Sequence, residues 1–173
     1  MTEEHLKASG IGFMILRDCL YLDLLPEMFD AATGAVRGPA GEGRVAFVAR
    51  EDVAQVAARV LTNASHVGAT YNVTEPETLS LDEVAQRLSA HTGPPLRYER
   101  ETLEEGRRWR SRLGAADWEV DTWLGSYVAI ARGELEPVSD AVLSISGHPP
   151  MALDGYFSEH PGLLDPLRTI AGP

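Results

Sequence analysis

The chain alternates segments of helical and strand-like pattern, but no glycine-rich loop joins a strand to a helix in its 173 residues. The pyrophosphate of a dinucleotide is usually held by such a loop, because glycine lets backbone amides at a helix start approach the phosphates closely. The two glycine clusters, residues 34–43 and residues 10–12, lie outside that context and are predicted to be turns. The alternation therefore predicts an α/β fold, and the missing loop excludes the usual dinucleotide site from these residues.

The first third of the chain carries the signals of an α/β unit. We predict a helix over residues 2–9 that ends at Gly10, and residues 12–16 form an apolar run typical of a strand buried on both faces. Asp52 precedes the apolar face of a later helix, so we interpret it as a helix cap rather than a catalytic group. The further elements predicted in this part are a helix over 22–31, a strand over 45–48 and a helix over 51–61.

The remainder of the chain is predicted to be mainly helical. Ser80 with Glu83, and Thr102 with Glu105, have the spacing of a capping box, in which each pair satisfies free amides at a helix start. The other predicted elements are strands over 70–73 and 96–100, a broadly apolar helix over 117–132, and short segments over 139–145 and 152–158.

Charge and composition exclude several classes of function. With 26 acidic and 15 basic residues the net charge is −11, which disfavours binding to nucleic acid. The only arginine cluster is interpreted as a solvated helix face with intrahelical ion pairs; it contains Arg107, Arg108, Arg110 and Arg112. The apolar stretches are too short to span a membrane, and without a leader segment we expect a cytoplasmic location.

The sequence does not support metal or nucleophile chemistry. Cys19 is the only cysteine, so an intrachain disulfide and a cysteine-based metal cluster are excluded. The five histidines show no metal-ligand spacing, and none occurs in a motif with a serine or cysteine nucleophile. No metal ligand and no catalytic residue are assigned.

Several segments occur in an order that is typical of one family. They are residues 4–10 leading into 15–17, Tyr21 and Asp23, residues 38–44 before 48–54, and residues 71–74, 79–85, 117–123, 133–135 and 146–150. Together they resemble the NmrA-like atypical short-chain dehydrogenases, which include NAD(P)H-dependent quinone and triphenylmethane reductases. The resemblance covers nearly the whole chain.

The resemblance implies a truncated Rossmann-like fold. Residues 1–173 would form a single domain, equivalent to the C-terminal half of an NmrA-like reductase. In the family this half completes the parallel sheet and adds a mostly helical substrate lobe, while the N-terminal half holds the glycine-rich loop. The cofactor implied is NAD(P)H, although without that loop the chain could also bind none.

The resemblance places residues 17–21, which follow the first strand, beside the nicotinamide and the substrate. Arg17, Asp18 and Cys19 are the implied cofactor contacts, and Tyr21 is an implied substrate contact. An edge of this kind, at the carboxyl ends of parallel strands, is where open α/β sheets bind ligands.

Three tryptophans, Trp109, Trp118 and Trp123, are candidates to line an aromatic substrate pocket, and Trp118 and Trp123 are assigned to it. The competing interpretation is that they pack in the core. The same alternative applies to the loop: Arg17 would pair with a carboxylate such as Asp52, and Cys19 and Tyr21 would be core residues.

Three functions remain open. The chain could be part of an NAD(P)H-dependent reductase for a quinone or similar conjugated acceptor, and would then be inactive alone. It could instead be a non-catalytic binding or regulatory module, or one half of a split reductase completed by a separate Rossmann-half chain. Because one edge of the 12–16 strand would lack its neighbour, we also expect a homodimer that covers it.

Overall fold

The computed structural model describes residues 2–170, and Met1 and residues 171–173 lie outside the described part. Its helices are α1 Thr2–Ala8, α2 Leu25–Met28, α3 Arg50–Leu61, α4 Leu81–Thr92, α5 Leu103–Ser111, α6 Asp117–Ala131, α7 Ala141–Ser146, α8 Leu153–Glu159 and α9 Asp165–Arg168. Its strands are β1 Ile15–Asp18, β2 Phe29–Asp30, β3 Ala35–Gly38, β4 Arg44–Val45, β5 Thr70–Val73, β6 Leu79–Ser80 and β7 Arg97–Arg100. The strands occur before residue 101 and the rest of the described chain is helical, which confirms the predicted α/β class.

The strands form three small sheets. β1 and β5 are parallel and in register from Ile15 opposite Thr70 to Asp18 opposite Val73, so both strands end at the same edge. β3 lies between β2, which is antiparallel to it, and β7, which is parallel, while β4 pairs with β6. The two parallel pairs are joined through intervening helices, as the geometry of parallel strands requires.

Local sequence signals are confirmed at several helix ends. Gly10 follows α1 with φ of 74°, a left-handed backbone conformation that glycine adopts without a steric cost. The Ser80 and Thr102 side chains accept hydrogen bonds from the backbone amides of Glu83 and Glu105. The carboxylates of these glutamates in turn accept hydrogen bonds from the backbone amides of Ser80 and Thr102, so both capping boxes are formed. The strands predicted over 70–73 and 96–100 and the helix predicted over 117–132 are also present, as β5, β7 and α6.

Other sequence predictions were wrong. The helix predicted over 22–31 is a 3-10 turn, the single turn α2 and then strand β2, because Pro26 cannot continue an earlier helix and Phe29 pairs with Val36. The glycine-rich segment that was interpreted as a turn contains β3. The first strand is shifted to Ile15–Asp18, and among residues 12–16 only Ile15 is buried.

Asp52 is not the cap of α3. The helix starts at Arg50, its N-cap residue Ala49 has no side-chain hydrogen bond, and Asp52 lies inside the first turn. Its buried carboxylate instead accepts a hydrogen bond of 2.8 Å from the backbone amide of Met151. Asp52 therefore attaches the segment before α8 to the start of α3.

The buried side chains form two clusters. The larger one joins the β2–β3–β7 sheet to α4, α6 and α8, and Phe47 and Phe157 are among its largest buried members. The smaller one lies where α3 and α7 pack against the β1–β5 pair; it contains Val48, Val56, Val60, Val73 and Val142. Cys19 contacts both clusters from the end of β1, so this strand end is fixed by packing on two sides.

β1 has a partner on one side only among residues 2–170, because β5 is the single strand paired with it. An unpaired strand edge presents free amides and carbonyls that can bind another strand. The predicted unpaired edge is therefore present, and the homodimer that would cover it stays a prediction.

Replacing Gly43 by alanine should destabilise the fold. A Cβ atom at this position would lie only 2.6 Å from the carbonyl carbon of Ile130, which is backbone of α6 and cannot rotate away. Overpacking of this kind costs about 1–3 kcal/mol. The free energy of unfolding, measured by urea denaturation, should fall by this amount for Gly43→Ala.

Gly125→Ala is the matched control, since Gly125 lies within α6 with open space around it. Alanine is a better helix former by about 0.5–1 kcal/mol, so this variant should be slightly more stable than the parent. Equal stability of the Gly43 and Gly125 variants would contradict the close approach of residue 43 to α6.

Candidate active site

Residues 17–21, which we call the ligand loop, comprise the last two residues of β1 and the three residues after it, at the edge where β1 and β5 both end. The loop is positioned by backbone hydrogen bonds to Val48: the Val48 amide donates to the Leu20 carbonyl at 3.0 Å, and the Leu22 amide donates to the Val48 carbonyl at 3.1 Å. Tyr21 and Val48 form an isolated parallel bridge at the same point. These contacts fix the backbone of the ligand loop against Val48.

Arg17 is exposed and forms a bidentate ion pair with Glu3 of α1, with both N···O distances at 2.6 Å. Arg17 thus pairs with a carboxylate, as the alternative interpretation predicted, but the partner is Glu3 and not Asp52. This ion pair lowers the pKa of Glu3, chiefly through the hydrogen bonds from Arg17. Because both groups face solvent, the guanidinium can exchange Glu3 for another anion at little cost.

Asp18 and Tyr21 contact each other, since the Tyr21 hydroxyl donates to the Asp18 carboxylate. The Arg50 guanidinium lies 4.4 Å from the centre of the Tyr21 ring and pairs with Asp23 at 2.7 Å. Tyr21 is half-buried and packs against the smaller core cluster. Its ring is thus part of the packing, as the core alternative predicted, while its hydroxyl is on the ligand loop's polar side.

Cys19 is suited to packing rather than to nucleophilic chemistry. Burial is the main cause that raises the pKa of its thiol to about 11, so the reactive thiolate is scarce at neutral pH. Its Sγ lies 3.8 Å from the Leu135 carbonyl oxygen. If Cys19 contacts a cofactor, it does so as a neutral group.

A cavity of about 480 Å³ opens next to the ligand loop. One wall is the segment from the ligand loop to β3, and the other is α5 and α6. Its lining residues are Leu20, Leu24, Glu27, Met28, Phe29, Asp30, Ala35, Arg37, Trp109, Arg110, Leu113, Trp123, Ser126, Tyr127 and Ile130. The volume and the largely apolar and aromatic lining are typical of a site for a small organic molecule.

The two arginines of the cavity wall are compensated by other groups. Arg110 is buried, pairs with Glu101 at 3.3 Å and donates to the Arg37 carbonyl at 2.7 Å. Its guanidinium lies 5.1 Å from the Tyr127 ring centre, and burial raises the pKa of the Tyr127 hydroxyl. Arg37 pairs with Glu99 at 2.6 Å.

Arg110 also corrects a prediction from the sequence. The arginine cluster of α5 was interpreted as a solvated face, and Arg108 with Glu104 fits that pattern as an exposed pair within one helix. Arg110 instead points inward and is only 5% exposed. Helical spacing alone does not reveal which arginine faces a cavity.

The tryptophans do not pack in the core. Trp109 and Trp123 line the cavity, whereas Trp118 is 70% exposed and lies outside it. The structure therefore brings Trp123 together with Leu20 of the ligand loop, but not Trp118. Tyr127 and Phe29 were missed as lining residues; the broad apolar surface of α6 was the available signal for Tyr127.

Within residues 2–170, no group of three or more histidine, cysteine, aspartate or glutamate side chains is arranged to hold a metal ion. Across the same described residues, every helix is too short or too polar to cross a membrane.

The sequence was compared with known proteins. No protein-family model matches it. It is 34% identical over 161 residues to an NAD(P)H azoreductase from Xenophilus azovorans, which covers 92% of this chain and 56% of that protein. It is 29% identical over 154 residues to quinone oxidoreductase 2 from Escherichia coli, covering 88% of this chain and 54% of that protein.

Solved structures show the same relationship. The crystal structure of the NADPH-dependent quinone oxidoreductase from Escherichia coli matches with a TM-score of 0.83 and 28% identity, over 92% of this chain and 58% of that one. The triphenylmethane reductase of Citrobacter sp. in complex with NADP(H) matches with a TM-score of 0.78 and 29% identity, over 91% and 56%. The chain thus spans little more than half the length of these relatives, and over that span it is similar in sequence and fold to NAD(P)H-dependent reductases of the NmrA-like kind.

Proposed function

We propose that this chain forms the acceptor-binding part of an NAD(P)H-dependent reductase that transfers a hydride to a quinone or a similar conjugated molecule. The observation that supports this best is the aromatic cavity beside the ligand loop, which Leu20 lines together with Trp123 and Tyr127. A planar acceptor gains from stacking on such rings and from leaving water. The similarity to quinone, azo and triphenylmethane reductases supports the same class of substrate.

The residues of the chain fit only one end of the cofactor. The 173 residues contain no glycine-rich loop for the pyrophosphate, so that loop must be supplied from outside them, on the same polypeptide or on another one. The ligand loop can contact the nicotinamide end, with Arg17 and Asp18 exposed and Cys19 half-buried. We therefore expect the 173 residues to be inactive alone.

The division of roles follows from this arrangement. Bound NAD(P)H would supply the hydride. The cavity would hold the acceptor between the ligand loop and α6, and its apolar wall would exclude water from the transfer. Trp118 has no role in this proposal, because it lies outside the cavity. A reductase of this kind works where NAD(P)H is maintained, so we place it in the cytoplasm.

The free edge of β1 supports a partner on this side of the molecule. A Rossmann half would continue the parallel sheet there, whether it belongs to the same chain or to a separate one. A second copy of this chain could cover the same edge, which is the homodimer that the sequence predicted. In either case the partner would lie next to the ligand loop, because the loop begins within the last residues of β1.

Trp123→Ala should weaken acceptor binding about ten-fold, which corresponds to roughly 1.4 kcal/mol from lost stacking and burial. The measurement is isothermal titration of the 173-residue chain with a small naphthoquinone, which needs no cofactor. Trp118→Ala is the matched control on the same helix and should bind like the parent. Equal weakening by both variants would argue against the cavity as the acceptor site.

Hydride transfer should appear only when a glycine-rich half is supplied. The part of the Escherichia coli quinone oxidoreductase that this chain does not span can be joined to this chain or added to it, and NADPH oxidation followed at 340 nm with a naphthoquinone acceptor. We expect acceptor-dependent oxidation with the combined protein and none with the 173 residues alone. A well-folded combination that binds NADPH but reduces no quinone, azo or triphenylmethane acceptor would contradict the proposed function.

A further inference from the structure

Glu75 is a fully buried carboxyl group that lies beside the ligand loop. It is the second residue after β5, at the edge where β1 and β5 end together, and its exposed fraction is 0%. Neither of its carboxylate oxygens makes a hydrogen bond of good geometry to the described residues, although the Leu153 backbone amide is near enough to favour the charged form. A buried carboxyl without a partner is costly, above all when it is charged.

The charged groups around Glu75 do not remove this cost. Arg87 of α4 is already held by both oxygens of Glu77, at 2.5 and 2.7 Å, and also lies 3.4 Å from Asp154 of α8. Asp154 in turn contacts His91 at 3.1 Å. Burial first, and then the like charge of Glu77, raise the pKa of Glu75 to about 8, and only the Leu153 amide and Arg87 act in the other direction among its main neighbours.

The backbone of Glu75 is connected to the ligand loop through one short segment. Its amide donates to the Phe47 carbonyl at 2.6 Å, and the next residue, Val48, donates to the Leu20 carbonyl at 3.0 Å. On the other side of Phe47, Ala46 donates to the Leu135 carbonyl, the same oxygen that Cys19 approaches. Cys19 is also close enough to Glu75 for a negative charge there to raise the pKa of its thiol.

We infer that Glu75 is a positioning residue for the ligand loop: while its side chain is neutral it stays buried and keeps residues 46–48, and through them Leu20, in the observed place. This inference rests on the proposed function in one respect, since it takes residues 17–21 to be the loop that meets cofactor and acceptor. Glu75 itself is enclosed and touches neither.

Ionisation of Glu75 would change this arrangement. The charge must reach water or Arg87, and Arg87 is occupied by Glu77, whose like charge repels it. An outward movement of residues 74–77 is the shortest way for the charged carboxylate to reach water. This movement breaks the hydrogen bond from the Glu75 amide to the Phe47 carbonyl. Folding raises the pKa of Glu75 above its ordinary value of 4.5. The contribution of the neutral Glu75 side chain to the stability of the fold is therefore complete below pH 4.5 and is lost as the pH rises to about 8.

The test is a pH titration of the 173-residue chain by NMR between pH 6 and 9. The side-chain carboxyl carbon of Glu75 reports its ionisation, and the methyl groups of Leu20 report the ligand loop. We expect both to change with a common midpoint near pH 8, while the methyl groups of buried Leu124 in α6 stay unchanged. Separate midpoints, or a Leu20 signal that does not respond, would overturn the inference.

Two variants make the test specific. Glu75→Gln imitates the neutral carboxyl and should abolish the Leu20 transition. Glu77→Gln removes the like charge and releases Arg87, so it should shift the ionisation of Glu75 to lower pH. A transition that persists unchanged in Glu75→Gln would overturn the inference; if that variant does not fold, the parent titration and Glu77→Gln still decide.

Acceptor binding gives a second measurement that a merely structural role would not affect. One pH unit above the midpoint about a tenth of the molecules keep the neutral side chain, so the apparent affinity for a naphthoquinone should fall about ten-fold in the parent and stay constant in Glu75→Gln. A Leu20 transition, together with no reductase activity of the protein combined with a glycine-rich half, would leave this inference standing and contradict only the proposed function. Activity without the Leu20 transition would do the reverse.

Discussion

The candidate site depends on the hydrogen bonds of three buried residues, Ala46, Phe47 and Val48. None of them is exposed to solvent, so each of their backbone polar groups needs a partner inside the protein. These partners come from distant parts of the chain: the Leu135 carbonyl, Glu75 and the ligand loop. The segment is too short to be stable as a strand by itself, yet it joins the end of β1, the end of β5 and the region after α6. The position of the ligand loop is therefore set by the need of these buried backbone groups for hydrogen-bond partners as much as by side-chain packing.

The same constraint explains how a small β-structure can support a site. β1 and β5 have only four residues each, and a pair of strands this short is marginally stable in isolation. Here α3 and α7 cover one side of the pair, and the apolar cluster around Val56 and Val142 fills the space between them. The strand ends are thus held by packing where the chain leaves the sheet, and that is where Cys19 and Glu75 lie.

What the sequence could predict was decided by how local each signal is. The capping boxes at Ser80 and Thr102 were predicted correctly because all their partners lie within three residues. The failed helix over 22–31 and the hidden strand β3 both depend on a pairing between Phe29 and Val36 that no local pattern shows. Gly38 also depends on a tertiary contact, because a Cβ atom at this position would lie within 2.8 Å of the Tyr127 ring. Its pattern in the sequence is that of a turn.

The cavity was the least predictable part, and the tryptophans show why. Trp118 and Trp123 lie five residues apart on one helix, so they project about 140° away from each other and cannot share a face. The residue type made Trp118 and Trp123 equally good candidates for the pocket. Helical spacing shows that they cannot both line it, but does not show which of them does. Which of them faces the ligand loop depends on how α6 lies against β4, and Gly43 sets this by letting the Ile130 backbone approach closely. Trp123 therefore lines the cavity because the backbones of Gly43 and Ile130 lie close together, although Gly43 itself is not a lining residue.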